Sequence, residues 1–180
     1  MPARKIGVKT SSVSSRFFSL KMRRLISTES LLEAHYCFLW ELCPKIISYC
    51  EQPITLEYKN LKYTPDFELD FGKLKILVEI KPSKNFDKAI SKIKIFENHL
   101  INSSCVYFPQ IFLFSEKDLS PLQVKHLKDA YFQLLNSTSQ DISSLCCPFT
   151  GKDPTCPIRS KLFEISREID TVQVEPCLSI

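Results

Sequence analysis

Tyr63-Thr64-Pro65-Asp66-Phe67, followed after one turn by Val78-Glu79-Ile80-Lys81-Pro82, is the stretch on which the fold turns. Leu74, Ile76, Val78 and Ile80 recur at period two, so Leu74 to Lys81 reads as a strand that Pro82 ends. Tyr63 to Phe71 reads as the strand before it, with Asp70-Phe71-Gly72-Lys73 as the hairpin turn between them. Pairing the two brings Asp66, Glu79 and Lys81 together, with Glu79 and Lys81 on the face opposite Val78 and Ile80. Two neighbouring carboxylates repel and are costly beside an apolar wall unless a cation joins them. Magnesium favours carboxylate and carbonyl oxygens, retains water and binds phosphate. Asp66, Glu79 and the backbone carbonyl of Ile80 therefore form a partial magnesium site, which manganese would also fit. Lys81 would orient or help deprotonate an attacking water and stabilise charge in the transition state. The competing reading is a hairpin with a solvated polar face, because Glu68 and Asp70 continue the alternation begun by Asp66.

Outward from that stretch, Leu31, Leu32, Phe38, Leu39, Trp40 and Leu42 recur at helical period behind Ser27, Thr28 and Ser30, predicting a helix from Thr28 to Leu42. Pro44 and Gln52-Pro53 bracket a short connection, after which Ile54 to Tyr58 reads as a strand turning near Asn60. Phe86, Ile90, Ile93 and Phe96 predict a second amphipathic helix over Phe86 to Leu100. Val106 to Phe114 reads as a strand, and Ser120-Pro121 opens a third helix through Leu134. The expected order is helix, three strands, helix, strand, helix: an α/β protein with a mixed sheet flanked by helices. A third acid is expected from the first helix. Glu29 and Glu33 stand one turn apart, and Glu33 borders the apolar arc, but Ser30-x-x-Glu33 is equally a capping box that would hold Glu33 on the backbone.

The chain of 180 residues has 24 basic and 20 acidic side chains, 44% hydrophobic residues and 3 glycines, which excludes general disorder. No apolar run reaches the roughly 20 residues that span a bilayer, so no membrane is expected as a partner. The first acidic residue is Glu29, and Arg16, Arg23 and Arg24 belong to a wholly cationic stretch before it. Residues 1–26 therefore read as a basic arm able to follow a phosphate backbone, residues 27–136 as the folded domain, and residues 137–180 as a short extension. Lys84 and Lys88, after the Glu79-Lys81 strand, extend the expected phosphate track. The eight cysteines read as reduced thiols, since no export signal is apparent and the core looks sufficient without disulfides, and Cys146, Cys147, Cys156 and Cys177 lack the paired spacing of zinc ribbons. A short helix is expected near Ser160 to Ile169.

The ordered set Ser30-Leu31-Leu32-Glu33, Glu51-Gln52-Pro53, Pro65-Asp66-Phe67, Val78-Glu79-Ile80-Lys81-Pro82, Ile111-Phe112-Leu113-Phe114 and Glu116-Lys117-Asp118 resembles the TnsA family, the endonuclease subunit of heteromeric Tn7-like transposases. The resemblance covers roughly Ser27 to Leu135. It implies a restriction-endonuclease-like core of the PD-(D/E)xK type, with Glu33, Asp66 and Glu79 as acidic metal residues and Lys81 as the catalytic lysine. Gln52 matches the family's Gln-Pro element and is implied as a positioning residue. The implied activity is Mg2+-dependent DNA cleavage at the 5′ ends of a mobile element. The implied partners are DNA, a TnsB-type transposase subunit and a TnsC-type AAA+ regulator, in a bacterial cytoplasmic, DNA-associated setting. The longer members carry a C-terminal winged-helix domain where this chain has only its extension, which reads as a partner-interaction segment. Two alternatives remain: a stand-alone repair or restriction nuclease of the same fold, and a catalytically silent DNA-bridging assembly module.

Overall fold

The computed structural model describes residues 14–102 and 111–136. The tail cysteines Cys146, Cys147, Cys156 and Cys177, the helix expected near Ser160, and the start of the strand expected from Val106 lie outside the described residues. The chain opens with strands β1 (Ser15–Ser19) and β2 (Arg24–Thr28), then helix α1 (Leu31–Leu42) and strand β3 (Ser48–Glu51). Strands β4 (Leu56–Tyr58), β5 (Leu61–Tyr63), β6 (Phe67–Asp70) and β7 (Lys75–Ile80) follow. A 3-10 turn at Ser83–Asn85 leads into α2 (Phe86–Asn102), and β8 (Ile111–Phe114) and α3 (Pro121–Asn136) complete the fold.

The central mixed sheet has the order β3-β6-β7-β8, antiparallel except for the parallel pair β7 and β8. Connection length dictates this. The short Phe71-Gly72-Lys73 turn can only fold β7 back on β6, whereas a parallel neighbour needs a long crossover, which α2 supplies. Gly72 adopts a φ of +85°, a conformation that strains any residue with a Cβ and so favours glycine in that turn.

Period-two alternation sends Ile76, Val78 and Ile80 to one face, where Tyr49, Phe67, Leu69 and Phe114 join them against α1 and α3. The other face carries Leu77 and Ile111, packed on Tyr63 and on Ile93 and Phe96 of α2. Glu79 shares the parity of Leu77 and so lies on the α2 side. From Tyr36 to Leu42 every residue of α1 is buried, since the helix is covered by the sheet, by α3 and by the N-terminal hairpin. No helix among the described residues is long and apolar enough to cross a membrane.

Three expectations are corrected. Residues 15–28 are not an extended arm. They form a hairpin with Ile26 fully buried and Phe17 packed tilted against Phe38 and edge-on against Tyr131, at 5.6 and 5.9 Å, so the boundary at residue 27 falls inside β2. The connection between Pro44 and Gln52 contains strand β3 on the sheet edge. The strand expected over Tyr63 to Phe71 is two strands broken at Thr64-Pro65-Asp66, because Pro65 has no N–H for a ladder. β5 therefore pairs with β4 in a separate hairpin.

Candidate active site

Asp66 is anchored at both ends where the chain enters β6. Its carbonyl accepts the Gln52 N–H at 2.8 Å, and its Oδ2 accepts the Ile80 N–H at 2.7 Å and the Lys81 ammonium at 2.9 Å. Glu79 is held from two sides, with Tyr63 Oη donating to its Oε2 at 3.0 Å and Lys81 Nζ lying 2.8 Å from its Oε1. Lys81 Nζ also donates to the Ile80 carbonyl at 3.2 Å. Three oxygens from Asp66, Glu79 and Ile80 thus converge on a single cation. The lysine side chain is 32% exposed, against 13% for Asp66 and 8% for Glu79, so the cluster opens to solvent on the lysine side.

The electrostatics follow from that convergence. Burial alone would lower the Lys81 pKa, but Asp66 and then Glu79 overcome it and hold the ammonium above its ordinary value. Glu79 is pushed up, first by burial and next by Asp66. Burial and the neighbouring Glu79 raise the Tyr63 phenol, which stays protonated as a donor. Lys81 is therefore a charged hydrogen-bond donor and a counter-charge to both carboxylates in this arrangement.

Of the two places the sequence left open for it, Glu33 occupies the helix cap, close enough to the acidic cluster to feel its charge. Ser30 caps α1 by accepting the Glu33 N–H at 3.2 Å, while the Glu33 carboxylate accepts Ser30 Oγ at 2.7 Å and the Glu29 N–H at 2.8 Å. It is buried, and burial followed by the charge of Asp66 raises its pKa to about 7. Glu33 therefore feels the Asp66 and Lys81 charges but does not join the oxygens around the ammonium.

The arrangement fits a divalent cation through chemistry already present: two carboxylates and a backbone carbonyl converge on a positive charge. Among the described residues no three His, Cys, Asp or Glu side chains are grouped to hold a metal, since the third oxygen here is a carbonyl and Glu33 is engaged at the helix cap. Asp66, Glu79 and the Ile80 carbonyl are the residues that would hold the ion.

Gln52 is buried beside Asp66 in a left-handed conformation with φ of 44°, at a cost of about 1 kcal/mol for a residue with a Cβ. Arg16 and Arg23 are exposed on the N-terminal hairpin, and Lys84 and Lys88 are exposed at and after the 3-10 turn. Arg24, also expected along the phosphate track, is one-third exposed. It forms a forked ion pair with the buried Glu51 carboxylate, which raises its pKa and ties β2 to β3.

Sequence reasoning missed Tyr63, whose signal was its place three residues ahead of Asp66, and Glu41. Glu41 is a buried carboxylate accepting Ser19 Oγ, Tyr49 Oη at 2.6 Å, and the N–H groups of Leu20 and Lys21 at 3.0 and 3.2 Å. Compared with known proteins, the chain matches no protein-family model and no curated protein.

Proposed function

We propose that this chain is a Mg2+-dependent DNA endonuclease with a restriction-endonuclease-like core, acting as the 5′-end-cleaving subunit of a multi-component transposase. The observation that carries the reading is the meeting of Asp66 Oδ2, Glu79 Oε1 and the Ile80 carbonyl on one ammonium within 2.8–3.2 Å. Anionic oxygens so arranged, with an opening to solvent, suit a hydrolytic site for a phosphodiester. A divalent ion bound there supplies positive charge for the phosphoryl oxygens and acidifies water. The chain's own groups do the rest. Tyr63 fixes the Glu79 carboxylate, the Gln52 and Ile80 amides fix Asp66, and Lys81 donates hydrogen bonds to developing negative charge. The transposase setting, with TnsB-type and TnsC-type partners, is supported by the ordered motif set from Ser30 to Asp118.

A second reading has its own observation. Lys81 already forms an ion pair with each of the two acids, which is also how a catalytically silent module would be built. An end-labelled cleavage assay containing the candidate transposase and regulator separates the two. Magnesium or manganese should support 5′-end cutting and chelator should abolish it. Asp66→Ala or Lys81→Ala should lower cutting by at least about a hundredfold while complex formation persists. Full cutting by Asp66→Ala would refute the catalytic assignment. Cutting by the purified chain without partners would favour a stand-alone nuclease.

A further inference from the structure

From the β4–β5 hairpin and α2 we infer that Lys59, Lys84, Lys88 and Lys92 form one continuous surface that grips the backbone of duplex DNA, independently of its sequence, and leads it to Asp66 and Glu79. The inference rests on the nuclease reading for its choice of DNA as the partner. Its physical basis begins with how the hairpin is mounted. Tyr58 stacks on His99 with ring centroids 4.2 Å apart at 26°, and Tyr63 packs on Phe96 at 5.3 Å, so the hairpin is fixed to α2. The Lys92 ammonium lies 5.0 Å from the centroid of the Tyr63 ring, whose hydroxyl donates to Glu79. The basic surface and the acidic cluster therefore meet at one tyrosine.

Lys92 and His99 face the hairpin, and Lys88 lies one helical turn before Lys92 on the same stripe, about 6 Å along the axis. Lys84 continues that line into the 3-10 turn. Among the described residues none of these four lysines is in an ion pair with a carboxylate. At the hairpin tip Lys59 is exposed and adopts a φ of 52° in the two-residue turn with Asn60. Glycine or asparagine would take that position with less strain, so the lysine stands there against the local backbone preference. Tyr58 is stacked on His99 and lies 5.2 Å from the Lys59 ammonium, so its ring is not free to stack on a base, and the grip is one of charge on phosphate.

The test is fluorescence anisotropy of a labelled blunt duplex of mixed sequence with the full-length chain in chelator, between about 50 and 200 mM potassium chloride. A Lys59→Asn, Lys88→Gln, Lys92→Gln variant should bind at least about tenfold more weakly, and the slope of log affinity against log salt should shrink by about 2 to 3. Lys125→Gln with Lys128→Gln, on α3 across the sheet, should bind as the parent does. Lys59→Asn alone should melt no lower than the parent, since asparagine suits the turn, yet still bind more weakly; it carries the test if the triple variant misfolds. Parent-like affinity and slope in the lysine variants, equal losses in the α3 control, or no duplex binding by the parent would each overturn the surface. Lysine-dependent binding with no cutting in the full reaction would sink the nuclease reading alone. Cutting with lysine-independent binding would sink this surface alone.

Discussion

At the scale of single residues, the positions of Asp66, Glu79 and Lys81 are set by hydrogen bonds more than by packing. Asp66 is gripped by two backbone amides through its carbonyl and its carboxylate, and Glu79 by a tyrosine, so the anionic oxygens are preorganised before any ligand arrives. Glu33 supplies a test at this scale. Its pKa rises from an ordinary value near 4.5 to about 7 in the fold, so the folded state binds its proton more tightly than the unfolded chain does. The stabilisation from that proton is complete below pH 4.5 and is lost as pH rises through about 7, an effect of about 3 kcal/mol at its upper end. Glu33→Gln keeps the capping box, because glutamine serves at that position. The variant should therefore match the parent near pH 4 and be the more stable protein at pH 8, as read by urea denaturation. An unchanged difference across that range would show that Glu33 is not held in its protonated form by the fold.

At the scale of elements, caps and tethers decide what each segment does. Ser30 with Glu33 opens α1, and Ser120 with Gln123 opens α3 by the same reciprocal pattern, at 2.8 and 3.3 Å. The N-terminal hairpin owes its place to Glu41, which collects two backbone amides and the hydroxyls of Ser19 and Tyr49, and to Lys21, whose ammonium donates to the Cys43 and Ile46 carbonyls beyond the end of α1. Removing the carboxylate strands several buried donors. Glu41→Ala should cost about 3 kcal/mol or more, and amide hydrogen exchange should quicken across Ser15 to Thr28 before it quickens in β6 and β7. Uniform loss of protection would show that the hairpin is not a separable unit. The start of α3 was legible beforehand in Ser120-Pro121, whereas α1, expected from Thr28, begins at Leu31, because Thr28 belongs to β2 and Ser30 is the cap. The hairpin was not legible: its apolar residues Phe17, Leu20, Met22 and Ile26 are dispersed among cations, and Glu41 lies on another element.

At the scale of the whole molecule, one sheet separates two unequal cores. The larger joins α1, α3 and the N-terminal hairpin around Trp40, which is 1% exposed, while the smaller gathers Tyr63, Leu77, Ile93, Phe96 and Ile111 under α2. Since β7 contributes to both, unfolding should be one event, and urea transitions followed by Trp40 fluorescence and by far-ultraviolet circular dichroism should coincide. Separated transitions would mean that the two faces melt independently. Phe96→Ala should cost about 3 to 5 kcal/mol, because its ring is fully buried between α2 and Tyr63. The chain by itself determined the starts of α2 and α3, the alternation that turns Val78 and Ile80 inward and Glu79 to the other side, and the proximity of Asp66 to Glu79. These are local: each follows from the period of a strand or helix, or from one short turn. Tertiary structure alone decided that a carbonyl and two carboxylates meet on the Lys81 ammonium, that Glu33 rests in its cap, that Arg24 pairs with Glu51, and that β3 lines the sheet edge. Those outcomes depend on which distant groups a side chain meets when buried, because a charge withdrawn from water takes whatever partner the packed chain brings within reach.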